Sequence, residues 1–131
     1  TRAALPRASG LLSGKMRPDS VFEADDHGGF NRHGERFDKG ETFSGVPYEV
    51  GLQAVEELRK LLPAGATLSQ LALRWILMFP EVTCTIPGAK TPEQARDNRA
   101  AASLPPLSAA TMAAVKEIYD PRIRPHVQDS W

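Results

Sequence analysis

Thirteen residues, Ile86 to Asn98 (IPGAKTPEQARDN), constrain the fold of this chain more than any others, because they join a strand end, a turn and a helix start. Val82, Thr83, Cys84, Thr85 and Ile86 have the β-branched and small character of a buried strand, and Pro87 and Gly88 stop it. Thr91 then precedes Gln94 by three positions, a capping-box spacing, and Pro92 takes the first helical position, where its missing N–H costs nothing. A strand that turns directly into a capped helix belongs to an α/β fold. The free N–H groups of such a helix start suit a phosphate, and Lys90 adds a positive charge beside them.

The rest of the chain supports α/β alternation. Val50, Ala54, Val55, Leu58, Leu61 and Leu62 repeat at helical spacing within Tyr48–Leu62, which Pro63 and Gly65 end. Thr67 and Gln70 form a second capping-box pair. Behind them Leu68, Leu71, Ala72, Trp75, Ile76 and Phe79 line one face of a strongly apolar helix that should be well buried and run to Pro80. A helix from Pro92 to about Ala102 follows. The last helix is capped by Ser108, carries Met112, Val115 and Ile118 on its buried stripe, and is expected to end before Pro121. Positions 16–46 are rich in Asp, Gly, His and Arg without either period and read as one long loop.

A second segment, Pro6-Arg7-Ala8-Ser9-Gly10-Leu11-Leu12-Ser13-Gly14-Lys15, has glycines placed for close backbone approach to a ligand. Together with Ile86–Asn98, and with Glu41-Thr42-Phe43-Ser44-Gly45 and Leu71-Ala72-Leu73-Arg74-Trp75 between them, it resembles the aldo-keto reductase family, specifically its C-terminal part. The resemblance runs from about Leu5 to Asp120. It implies the C-terminal portion of a (β/α)8 TIM barrel, here an incomplete barrel of about two strands and four helices. Residues 1–131 would form part of one NADP-dependent oxidoreductase domain.

The resemblance also implies a division of labour. Pro6, Ser9, Gly10, Leu11, Ser13, Gly14 and Lys15 correspond to the segment that wraps the cofactor pyrophosphate. Ile86, Gly88, Lys90, Gln94 and Asn98 correspond to residues that hold the adenosine phosphate and adenine of NADPH. The sequence departs from the family pattern at Arg7, where leucine is usual, at Ala4, where many relatives carry an aromatic residue, and at Gln94, where many carry arginine. The proton-donating tyrosine and its lysine, aspartate and histidine companions lie in the family ahead of the matching region. Tyr48 and Tyr119 are the only tyrosines, and neither sits in that context. No residue here is assigned a catalytic role.

The expected function is therefore the cofactor-binding part of an enzyme that reduces aldehydes or ketones to alcohols with NADPH. Its partners would be a small carbonyl substrate and the missing N-terminal half of the barrel. The alternative is a non-catalytic dinucleotide-binding or self-associating half-barrel module.

Sixteen basic and sixteen acidic residues cancel, which argues against a nucleic-acid or membrane-surface partner. A single cysteine, Cys84, excludes an internal disulfide framework and reads as a core residue of its strand. His27, His33 and His126 lack cysteine or carboxylate companions at ligand spacing, so no metal site is expected. No apolar run is long enough to cross a bilayer, and a cytoplasmic location is the simple expectation.

Overall fold

A computed structural model describes residues 2–3, 8–17 and 45–128. Most of the expected long loop, and Pro6 of the first segment, lie outside these residues, as do His27, His33 and Trp131. In chain order the elements are β1 (Arg2–Ala3), a 3-10 segment (Ala8–Ser13), α1 (Tyr48–Arg59) and α2 (Leu68–Ile76). They continue with β2 (Cys84–Thr85), α3 (Pro92–Ala100), a 3-10 turn (Ala101–Ser103), α4 (Ala109–Arg122) and the single-turn α5 (Arg124–Val127).

β1 and β2 pair in parallel, with Arg2 opposite Cys84 and Ala3 opposite Thr85. Parallel neighbours need a crossover of at least a dozen residues, and α1 and α2 lie within it. The expected strand Val82–Ile86 is thus shortened to two residues, because β1 offers only two partners among the described residues. Nothing described covers the face of this pair, so Cys84 is exposed rather than core and Ile86 is 57% exposed. Their period fits a buried strand, but burial needs a second layer.

The helix starts follow the sequence closely. At α2 the Thr67 hydroxyl accepts the Gln70 N–H at 3.2 Å, and Gln70 Oε1 accepts the Thr67 N–H at 3.0 Å, a complete capping box. Ser108 Oγ accepts the Thr111 N–H at 3.1 Å at the start of α4. The ends differ by a turn. α1 stops at Arg59, and Leu61 and Leu62 wind on through i→i+3 bonds to Leu58 and Arg59 before Pro63 and the left-handed Gly65 (φ 77°). α2 stops at Ile76 in the same manner, because Pro80 disfavours helical backbone at Phe79.

The last helix runs two residues past the expected stop, with Pro121 inside it. A proline in a final turn removes one bond, to the carbonyl of Glu117, and both residues are exposed to water that can replace it. The Ile123 N–H still reaches the Tyr119 carbonyl at 2.9 Å.

The core gathers Leu11, Tyr48, Val55, Leu68, Leu71 and Leu107, with Trp75, Met78 and Met112 packed around it. Trp75 meets Phe79 edge-on, with ring centroids 4.8 Å apart. Leu73, off the expected apolar stripe, is only 1% exposed, so α2 is buried on two sides while Phe79 at its end stays 37% exposed. Met112, Val115 and Ile118 of α4 are half-buried: Met112 packs against the core, while Val115 and Ile118 line an apolar hollow of about 420 Å3. Leu11, Val55, Leu71, Trp75, Ile118 and Ile123 line that hollow. Arg122 closes α4 onto α1 by presenting two N–H groups to the Glu57 carboxylate, one of them from Nε at 3.2 Å.

Candidate cofactor-binding site

Because β1 and β2 run parallel in register, both chain directions leave the same end of the pair. Beyond Ala3 lies the glycine-bearing segment that includes Ala8–Lys15, and beyond Thr85 lie Ile86–Lys90 and α3. In open and closed α/β sheets this strand end is where ligands bind.

The first segment is a six-residue 3-10 turn with Gly10 inside it at φ 94° and Gly14 directly after it at φ 71°, both in the left-handed region. A Cβ on Gly14 would also press on Arg59 Nη2 at 3.1 Å. Arg59 uses that Nη2 to donate to the Gly14 carbonyl at 3.0 Å, and Ser69 Oγ donates to the Leu12 carbonyl at 3.4 Å. Ser13 Oγ accepts the Lys15 N–H at 3.3 Å, which leaves the exposed Lys15 ammonium pointing off a braced loop. Leu11 is 5% exposed and its side chain belongs to the core, so this residue has only its backbone to offer to a ligand.

The second segment is knitted to its own helix. Gln94 N–H reaches Thr91 Oγ1 at 3.2 Å, but the Gln94 side chain does not complete the expected box. Its Oε1 accepts the Lys90 N–H at 2.7 Å instead. Asn98 Nδ2 donates to the Gly88 carbonyl at 3.2 Å. Gly88, Lys90, Gln94 and Asn98 are thus brought together, whereas Ile86 stands exposed ahead of them.

The start of α3 is not the open set of donors that the spacing suggested. Thr91 takes the Gln94 N–H, the Thr91 carbonyl takes the Ala95 N–H at 3.1 Å, and Pro92 has no N–H. The Glu93 carboxyl also sits there. Its own backbone N–H and the Thr91 hydroxyl hold it below the ordinary glutamate range, with desolvation opposing and Arg96 contributing least. The positive charge on this turn is therefore the exposed Lys90 side chain, and bare helix N–H groups are few.

One short stretch of α2 touches both segments. Ser69 bonds Leu12 of the first, and the neighbouring Gln70 donates its Nε2 to the Asp97 carbonyl of α3 at 3.3 Å. Gln70 is the residue that also closes the capping box, so one side chain fixes the start of α2 and the position of α3. Sequence reasoning found Gln70 as a cap and missed its spare amide. Arg59 carried no sequence signal at all, because its partner is 45 positions away.

Tyr48 is buried and donates its hydroxyl to the Arg17 carbonyl at 2.7 Å, and Tyr119 is exposed on α4. Among the described residues no helix is long and apolar enough to cross a membrane.

A family model described as "Aldo/keto reductase family" matches residues 3–120. The chain is 36% identical over 87 residues to aldo-keto reductase YhdN of Bacillus subtilis (strain 168). That match covers 65% of this chain and 24% of the relative, so the chain spans about a quarter of the length of the curated relative it matches.

Proposed function

The chain belongs to the aldo/keto reductase family, and on that premise we propose that it is the C-terminal, cofactor-binding part of a (β/α)8 reductase that converts aldehydes or ketones to alcohols with NADPH. The observation that carries this reading is the parallel register Ala3 to Thr85, which sends two glycine-bearing segments off one end of the strand pair. The residues fit a dinucleotide. Gly10 and Gly14 take left-handed backbone and carry no side chain of their own, and Lys15 and Lys90 supply two exposed cations.

In this reading the cofactor, when bound, supplies the hydride. Pro6, Ser9, Gly10, Leu11, Ser13, Gly14 and Lys15 hold its pyrophosphate, with Arg59 and Ser69 bracing the loop from behind. Ile86, Gly88, Lys90, Gln94 and Asn98 hold the adenosine end, where Lys90 is the natural partner of a 2′-phosphate. Proton donation belongs to the barrel's first half. In this reading Tyr48 is set aside as the donor, its hydroxyl being given to the Arg17 carbonyl. The partners of the chain are then that half of the barrel and a small carbonyl substrate, in a cytoplasmic enzyme.

Titrating the full chain with NADPH while following its backbone amide signals tests the assignment. Perturbation at Gly14, Lys15 and Lys90, weakened at least severalfold by Lys90→Ala, is the expected result. Equal affinity in Lys90→Ala removes Lys90 from the site, and silence in both segments removes the reading. Reductase activity of the purified chain alone would show that it carries its own proton donor.

The exposure of Ile86 beside an open strand pair favours a second reading, a self-associating half-barrel module. Sedimentation that depends on protein concentration supports it, and a monomer at all concentrations discards it.

A further inference from the structure

Native interiors contain few voids larger than a water molecule, yet this chain keeps a hollow of about 420 Å3 beside its best-packed residues. That volume falls in the usual range of ligand pockets, about 300–1,000 Å3. The hollow is enclosed by the chain's own elements: α1 lines it with Val55 and Leu58, α2 with Leu71 and Trp75, and α4 with Val115 and Ile118. Arg122 on Glu57 ties α4 to α1, so the chain supplies its own cover and the space that remains is of small-molecule size.

The lining selects the chemistry of an occupant. Among the described residues no charged side chain faces the hollow, and the neighbouring charges of α4, Lys116, Asp120 and Arg122, are engaged in ion pairs. A charged head would find no counter-charge there. No buried side-chain nitrogen or oxygen among the described residues lacks a partner, so water entering the hollow finds no group waiting for it. Tyr119, 43% exposed, contributes the only hydroxyl of the lining, at the edge where the hollow meets solvent.

We propose that this hollow is a binding site for an uncharged, largely hydrocarbon small molecule of roughly a dozen carbon atoms, since a dry cavity of about 150 Å3 already takes a benzene. A single polar end would lie beside Tyr119. The site is also joined to the glycine-bearing turn. Leu11 and Leu12 line the hollow with their side chains, while the Leu11 carbonyl accepts the Gly14 N–H at 3.3 Å. An occupant therefore packs against the side chains that seat this turn and holds it in place. None of this rests on the cofactor reading.

Titration of the full chain with N-phenyl-1-naphthylamine, an uncharged fluorescent probe, tests the site. Saturable binding should raise the melting temperature and slow exchange of the Gly14 amide severalfold. Ala72→Leu on α2 and Val115→Phe on α4 each fill part of the hollow and should weaken the probe at least about fivefold. Unchanged exchange of the capped Gln70 and Thr111 amides in these variants shows that both helices still form. Dodecanol should displace the probe about tenfold better than dodecanoate, because a buried charge without a partner is costly.

Undiminished affinity in both filled variants puts the probe elsewhere and overturns the site. Displacement by dodecanoate equal to that by dodecanol overturns the uncharged class. Probe affinity that falls as protein concentration rises makes a second copy of the chain the occupant, and overturns the small-molecule site.

Discussion

Arg59, in the last turn of α1, donates to the carbonyl of Gly14 across 45 positions of sequence. It thereby links the glycine-bearing turn to a helix that the turn does not precede or follow directly. Arg59 also forms an exposed pair with Glu56 at 3.4 Å, which orients the guanidinium rather than adding much stability. Arg59→Ala should therefore leave the melting of the whole chain nearly unchanged. The amide of Lys15, just beyond the brace, should exchange several times faster. Equal exchange in both chains would show that the turn holds its shape without Arg59.

Glu93 gives the chain an acid-side dependence of known sign. Its folded-state pKa lies below the ordinary glutamate value, so its contribution is complete above that value, about 4.3, and is lost as pH falls through the lower folded pKa. Glu93→Gln should flatten the fraying of α3 over that window, followed as the pH dependence of Gln94 and Ala95 amide exchange. A profile identical to the original would assign the acid dependence to other carboxylates.

Leu73, on α2, is 1% exposed. Truncating so enclosed a leucine typically costs about 2–5 kcal/mol, because the lost contacts are not replaced. Leu73→Ala should lower the urea midpoint accordingly, and a loss below about 1 kcal/mol would mean that the site relaxes onto the cavity.

Gly51 sits inside α1 where alanine would normally favour the helix by about 0.5–1 kcal/mol. A Cβ there would come within 2.5 Å of Leu11 Cδ2. Gly51→Ala should thus be net destabilising by about 1 kcal/mol in the original chain. In a Leu11→Ala background the same change should become stabilising, and an unchanged sign in the double variant would show that the destabilisation does not come from Leu11.

What could be read from the sequence was local. Thr67 with Gln70, and Ser108 ahead of α4, act within one helical turn, so spacing suffices to find them. Thr91 with Gln94 shows where spacing stops being enough. Half the box forms, and the glutamine oxygen takes the Lys90 N–H instead, a choice between adjacent donors that no spacing rule distinguishes. The strand around Cys84 shows another limit. Alternation marks which side chains share a face, but whether that face is dry depends on what is stacked against it. Arg59 on Gly14 and Gln70 on Asp97 depend on the tertiary arrangement and have no local signature.

The register between Arg2 and Cys84 closes a loop of roughly eighty residues. Pairing at such separation is slow and is rewarded only after the intervening chain has become compact, whereas the capped helices form early. A chain with every helix in place and the strands still apart would give almost the full helical ellipticity while its two glycine-bearing segments lacked a common origin. Helical signal therefore measures the scaffold of this protein, and the time at which the strands meet sets when the two segments first share one end.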